Sequence, residues 1–420
     1  MDSRERVLKA LNHERPDRVP VDLGATSVTG ISASALTRLR RALDLEEKVT
    51  RVHEPFQLLG DMEEDVRQAL GVDVVGLWSP YTIFGYENNG WKPWQLPDGI
   101  KVFIGEGFAV TVDENGNQYT YPQGDMSVPP SGKLPKGGFY FDNLTRQEEV
   151  DEDNLDGRRD FADDFKIFSD YDLSYYEKTA NELYHNTRYA IIANFGGGGL
   201  GDVAFLPGPS VKKTPGIRRI EDWYMAYVLH PDYTKEVYDF QVEVALKNLE
   251  LLRQAVGDKI QAIFVSGTDF GTQRAEFISP DMFREFYKPR FKQINDWIHA
   301  HTTWKTFYHS CGSIVNLLDD MVDAGVDILN PVQCSAAGMD PKYLKEKYGD
   351  KLVFWGGGID TQNTLPFGTP EEVRKEALER LEIFSKGGGY VFNPIHNIQA
   401  PTPVENLTAL FEAVKEFNER

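Results

Sequence analysis

The sequence predicts a (β/α)8 barrel with a β-rich insertion after an early strand. Short apolar runs rich in β-branched and aromatic residues recur near residues 74, 191, 264, 307, 328, 353 and 391, and residues 18–23 offer an eighth. Amphipathic helical stretches separate them at intervals of about 30 to 40 residues, the alternation of a parallel α/β protein. The run of hairpin-like sequence from about residue 80 to 150 breaks that rhythm, which makes it an insertion within one domain spanning residues 1–420.

In chain order, residues 3–13 read as a helix capped by Ser3, with Val7, Leu8 and Leu11 on one side. The extended residues 18–23 end in Asp22, expected as a solvated loop carboxylate, and a helix follows over 35–43. After a helix over 61–70 comes the Val-rich strand 72–78. Asn115-Gly116 then marks a tight turn between 108–112 and 118–121, and the Pro-, Gly- and acid-rich residues 126–165 read as a long surface loop. Beyond it a helix over 176–184 leads to the strand 189–194 and the glycines Gly196 to Gly199. No Gly-Lys-Ser/Thr follows that run, so it is a weak phosphate signal and reads better as a loop that approaches a ligand or moves freely. Helix 231–256, strand 262–266, a helix opened by Ser279-Pro280, and the stretch 305–312, read as a strand whose last residues present His309 and Cys311 on one side of the pleat, continue the alternation. Helix 315–324, strand 326–334, helix 341–348, strand 352–355, a helix capped by Thr369-Pro370-Glu371-Glu372, strand 389–393 and a closing helix complete it.

Composition excludes several classes. The formal charge of −20, from 45 basic and 65 acidic residues, argues against sequence-independent nucleic-acid binding and against an anionic membrane surface. No stretch approaches the roughly 18 uninterrupted apolar residues of a membrane span, and the first residues lack the apolar run of a signal peptide, so a cytoplasmic protein is expected. Two cysteines in 420 residues are no disulfide framework, which leaves Cys311 and Cys334 as thiols for a metal or for chemistry.

Chemistry in such barrels sits at the C-terminal ends of the strands. Asp269, His309, Cys311, Gln333, Cys334, Asp360 and His396 all follow a strand end, so scatter in sequence becomes convergence in space. Zinc takes imidazole and thiolate ligands, and a catalytic zinc keeps three protein ligands and one open position. His309 and Cys311 are the expected first two ligands, with His396 or Cys334 completing the set; a lone buried histidine or thiol is otherwise ordinary core. Asp269 is a candidate general acid or base, a fourth ligand, or a cap for its glycine-rich turn. Gln333 and Asp360 are candidate substrate or supporting contacts, and Trp78, Phe195 and Tyr308, with Tyr81, Phe84 and Trp91, are candidate walls for an apolar or aromatic substrate.

The frame from Ser3-Arg4-Glu5-Arg6-Val7 through Arg15-Pro16-Asp17-Arg18-Val19-Pro20-Val21, and again from Gly267 onward, resembles the uroporphyrinogen decarboxylase superfamily, in particular its corrinoid-dependent methyltransferase branch. The resemblance implies a (β/α)8 barrel with the site at its C-terminal mouth. It also implies zinc held by a His-x-Cys pair, here His309-Ser310-Cys311, and by a later cysteine near the last strand. This chain has His396 at that later place. The resemblance further implies cobalamin supplied by a partner corrinoid protein and a small methylated substrate; a second copy of the chain is a further expected partner. The arginine-rich segment by which decarboxylases hold substrate carboxylates is absent after the first Pro-Val, where Asp22-Leu23-Gly24-Ala25-Thr26-Ser27-Val28 stands. The expected activity is therefore methyl transfer from a methylated substrate, such as an aryl methyl ether, to a corrinoid cobalt. Transfer from a methylated corrinoid to a thiol, a metal-free decarboxylase or lyase, and a non-catalytic binding barrel are the alternatives.

Overall fold

The computed structural model describes residues 1–420. Its centre is a seven-stranded sheet of β1 (Val74–Leu77), β2 (Ala190–Ala193), β3 (Ala262–Ser266), β4 (Lys305–His309), β5 (Ile328–Asn330), β6 (Val353–Trp355) and β7 (Tyr390–Val391). Neighbours in sequence are neighbours in space and all pairs are parallel. Residues 20–22 fill the eighth place. The Asp22 amide donates to the Phe392 carbonyl (2.9 Å), the Phe392 amide to the Pro20 carbonyl (2.8 Å), and the Asp73 amide to the Val21 carbonyl (2.7 Å). The segment thus bridges the end of β7 to the start of β1 and closes the ring, as the (β/α)8 expectation requires.

Strand alternation sorts the side chains into two cores. Inward-facing Val74, Ile192, Phe264, Phe307, Ile328 and Trp355 fill the barrel, with the Phe264 and Phe307 rings stacked at 5.3 Å. The N-terminal helix, α1 (Ser3–Leu11), adds Val7, Ala10 and Leu11 to this cluster and so plugs one end. Outward-facing residues such as Ile191, Ile263, Tyr308 and Phe354 pack against the surrounding helices.

Asp73, fully buried just before β1, ties this end together. Its Oδ1 accepts from Ser3 Oγ (2.7 Å), Arg6 Nη1 (2.7 Å) and Arg18 Nη2 (2.9 Å), and its Oδ2 from the Val21 amide (3.0 Å). Ser3 therefore does not cap α1. Asp2 does, in a reciprocal box with Glu5.

Two small sheets stand apart from the barrel. Arg51–Glu54 pairs with Leu59–Gly60 and with Lys101–Ile104, which pairs in turn with Lys92–Gln95. Val110–Val112 and Gln118–Thr120 form the hairpin that Asn115-Gly116 announces. Gly132–Leu134 and Asp142–Asn143 extend it, so residues 126–165, expected as loop, contain two strands and the short helix Gly157–Asp160. Phe84, Phe108, Phe141 and Leu134 give these sheets a core of their own. No helix is long and apolar enough to cross a membrane.

Candidate metal centre

In β4, Phe307 and His309 point into the barrel while Thr306 and Tyr308 point outward, and Gly312 turns the chain immediately afterwards. Gly312 has φ +87°, and a Cβ there would lie 2.3 Å from the Gly271 backbone. Only glycine permits both the left-handed turn and this approach of the loop after β3 to the loop after β4. The contact brings Asp269 to the pair, and its Oδ1 accepts the Cys311 amide at 2.6 Å and lies 3.7 Å from His309 Nε2.

His396, delivered by the loop after β7, completes a group in which His309, Cys311 and His396 hold their ligand atoms within 4.8 Å of one another. His309 Nε2 lies 3.3 Å from Cys311 Sγ, and the two imidazole rings are 5.3 Å apart. The tautomer of His309 follows from its neighbour. Asn330 Nδ2 donates to the Trp355 carbonyl (2.7 Å), which leaves Asn330 Oδ1 as an acceptor 2.5 Å from His309 Nδ1. Nδ1 therefore carries the proton, and the Nε2 lone pair faces Cys311 and His396. Neither ring nitrogen of His396 is hydrogen-bonded within the protein. Burial, reinforced by His309, pulls the His396 pKa down to about 3, and burial lowers that of His309. Burial and the Asp269 charge raise the Cys311 thiol well above its usual range. Two neutral imidazoles and a protonated thiol converge here, and this donor set suits zinc once the thiol proton leaves.

His309, His396 and Asp269 open onto a cavity of about 740 Å³ between the barrel mouth and the insertion. Trp78 and Phe195 line it, as does Tyr81. The other expected contacts lie elsewhere. Tyr308 faces outward, its hydroxyl donating to Asn295 Oδ1 (3.0 Å) and its ring 4.9 Å from Phe291. Gln333 Oε1 accepts the Gly312 amide (2.7 Å) and so holds the loop that carries Cys311 rather than facing the cavity. Asp360 caps its own turn, accepting from the Gln362 amide (2.8 Å) and Asn363 Nδ2 (2.9 Å). Cys334 stands outside the cluster. Its Sγ contacts the Val332 carbonyl (3.3 Å), it packs on the outer core, and burial pushes its thiol up to about 12. Phe84 lies in the insertion core, and Trp91 lies under Arg51 at 5.5 Å. Asp22 is buried, not solvated: its Oδ2 accepts from Trp355 Nε1 (2.9 Å), and burial pushes its carboxyl up to about 6.

Sequence reasoning passed over three groups at the cavity. Glu54 accepts the Phe56 and Gln57 amides (2.9 and 2.8 Å), and burial pushes it up to about 7. His53 packs edge-on against Trp78 at 4.5 Å, and its two ring nitrogens are buried without partners. Asp202 ends the glycine-rich loop after β2. Its Oδ1 accepts the Ala204 amide (2.9 Å), its Oδ2 has no partner, and burial, with the Asp269 charge nearby, pushes it up to about 7. The folded chain thus holds the Asp202 proton more tightly than the unfolded chain does. The stability this contributes is complete below about pH 4 and is lost as the pH rises through 7. Asp202→Asn is therefore expected to gain on the wild type between pH 5 and pH 8, by on the order of 1–3 kcal/mol in urea unfolding at the two pH values. An equal difference at both would show that Asp202 is ionised throughout.

Residues 215–417, which supply β3 to β7 and all three clustered side chains, match the family model for uroporphyrinogen decarboxylase (URO-D). The match covers just under half of the chain, which is similar over that stretch to the uroporphyrinogen decarboxylases. The chain is 28% identical over 187 residues to the methylcobamide:CoM methyltransferase MtaA of Methanosarcina barkeri, covering 44% of this chain and 50% of that protein. It is 32% identical over 89 residues to the uroporphyrinogen decarboxylase of Coxiella burnetii, covering 20% and 24%. To that of Chlorobium limicola it is 30% identical over 152 residues, covering 35% and 40%. The chain thus spans half the length, or less, of these curated relatives. Its fold superposes on a solved methyltransferase from Methanosarcina mazei with a TM-score of 0.55 and 19% identity, over 99% of both chains. The barrel fold is thereby shared along the whole chain.

Proposed function

We propose that the protein is a zinc-dependent methyltransferase that moves a methyl group from a small methylated substrate to the cobalt of a partner corrinoid protein. The observation that carries this reading is the meeting of His309, Cys311 and His396, two of which, His309 and His396, line the 740 Å³ cavity. Zinc held by these three residues would act as a Lewis acid on the heteroatom that loses the methyl group, and more strongly than with a thiolate in place of His396.

The chain's own residues have distinct parts in this scheme. Asn330 keeps the proton of His309 on Nδ1, so that Nε2 stays available as a ligand. Gly312 and Gln333 fix the loop that carries Cys311. Asp269, already accepting the Cys311 amide, leans toward His309 and would steady the charge that gathers at the site. Trp78, Phe195 and Phe56 give the cavity apolar walls that exclude water from a small methylated molecule. Glu54, Asp163, Asp164, Asp202 and Asp269 line it against a single cation, Lys166, which disfavours the polycarboxylate substrate of a porphyrinogen decarboxylase.

A second direction, from a methylated corrinoid to a thiol, draws support from the likeness to a methylcobamide:CoM methyltransferase. One pair of assays separates the two. The protein is incubated either with reduced cobalamin and aryl methyl ethers, or with methylcobalamin and a thiol, while the cobalamin spectrum is followed. Methylcobalamin should form in the first mixture, and that formation should disappear with His396→Ala. Demethylation only in the second mixture would reverse the assigned direction, and neither reaction in any mixture, with free cobalamin or a corrinoid protein, would overturn methyl transfer.

A further inference from the structure

A second cavity, of about 270 Å³, lies behind the glycine loop that follows β2. Phe195, Gly196, Gly199, Asp202 and Phe205 form a wall that it shares with the main cavity. Its other side is the helix Pro231–Val256, here α2, together with the segment that carries Phe161, Phe165 and Phe168. Aromatic rings dominate: Phe168 lies 5.2 Å from Phe195, and Phe161 lies 5.7 Å from both Phe165 and Trp223. Asn248 secures this wall, accepting the Phe168 amide (2.8 Å) and donating to the Lys166 carbonyl (2.9 Å).

One polar side chain breaks the apolar surface without a partner. Gln241 of α2 is only 9% exposed, lines the cavity, and its carboxamide makes no hydrogen bond within the protein. Its carboxamide is accessible from the cavity, so its hydrogen-bond partner comes from whatever occupies that cavity. Asp202 Oδ2 is a second unpartnered acceptor on the shared wall. The charged groups at the rim ask for nothing further, because Asp164 is paired with Arg218 at 2.9 Å.

We propose that this cavity is a binding site for a small neutral aromatic molecule of one ring with one hydroxyl or amino substituent, the substituent pairing with the Gln241 carboxamide. An apolar cavity of about 150 Å³ already accepts benzene, so the volume has room for one ring and its substituent. The carboxamide, both donor and acceptor, suits a hydroxyl that is also both. The site stands independently of methyl transfer, since none of its lining residues is a candidate metal ligand. Its shared wall would let a ring seated there be either part of a substrate or a separate ligand beside it.

Calorimetry on the full chain with phenol and with toluene tests the proposal. Wild type should bind both, Gln241→Met should weaken phenol about tenfold and leave toluene unchanged, and Ala245→Phe, which fills the cavity, should abolish both. His396→Ala should bind phenol as wild type does, which separates this site from the metal centre. Competition by an aryl methyl ether would mark the ring as part of a substrate, and its absence a separate ligand. No phenol binding by wild type, or binding untouched by Gln241→Met, would overturn the site, and the latter variant decides the matter if Ala245→Phe does not fold.

Discussion

Replacing His309, Cys311 or His396 by alanine is expected to strip the purified protein of zinc, with affinity falling by more than about a hundredfold, whereas Cys334→Ala keeps it. Loss of a supporting partner alone costs about ten- to a hundredfold in metal affinity, and Asn330→Ala should fall in that range because it frees the tautomer of His309. A direct ligand costs more, since three protein donors are the minimum that holds a catalytic zinc. Cys334 is a fair control because it is the only other cysteine and packs on the far side of the sheet. Metal analysis after dialysis, with circular dichroism to confirm folding, reads the result. Zinc retained at wild-type stoichiometry in all three variants would refute the centre, and zinc lost from Cys334→Ala would relocate it.

The second large effect concerns the barrel's closure. Asp73→Ala is expected to cost about 3–5 kcal/mol, the scale for removing one partner of a buried ion pair. The Arg6 side chain, 8% exposed, would keep its pairing with Asp17 and its hydrogen bond to the Met1 carbonyl, and Arg18, Ser3 and the Val21 amide would each lose an acceptor. Urea denaturation measures the loss, and a change below about 1 kcal/mol would show that water replaces the carboxylate there without penalty.

The fold was legible because parallel strands buried on both faces leave long apolar runs at regular spacing, and every strand of the ring carries one. The helix Ile220–Leu229 escaped because apolar residues such as Met225, Val228 and Leu229 face outward, so its pattern lacks a single buried stripe. At the site, strand-end position located His309, Cys311, His396 and Asp269. The same rule misplaced Tyr308, although alternation alone puts a neighbour of His309 on the opposite face. It also misplaced Cys334, because the chain leaves β5 through Val332 at φ +58° and alternation does not survive that turn. Asp202 carried no readable signal, since an acid at the end of a glycine run is the ordinary composition of a loop.

The pairing of residue 21 with residue 392 also bears on how the chain comes to its final shape. The segment that completes the ring is synthesised long before the strand end it must meet. Until then the edge of β1 is open and the segment of residues 20–22 has no home, so local helix and strand pairs can form early but the cylinder cannot. The clustered side chains come from both sides of that late event, His309 and Cys311 before it and His396 at it. A nascent chain therefore brings the three clustered side chains together only when the barrel is ready to shut.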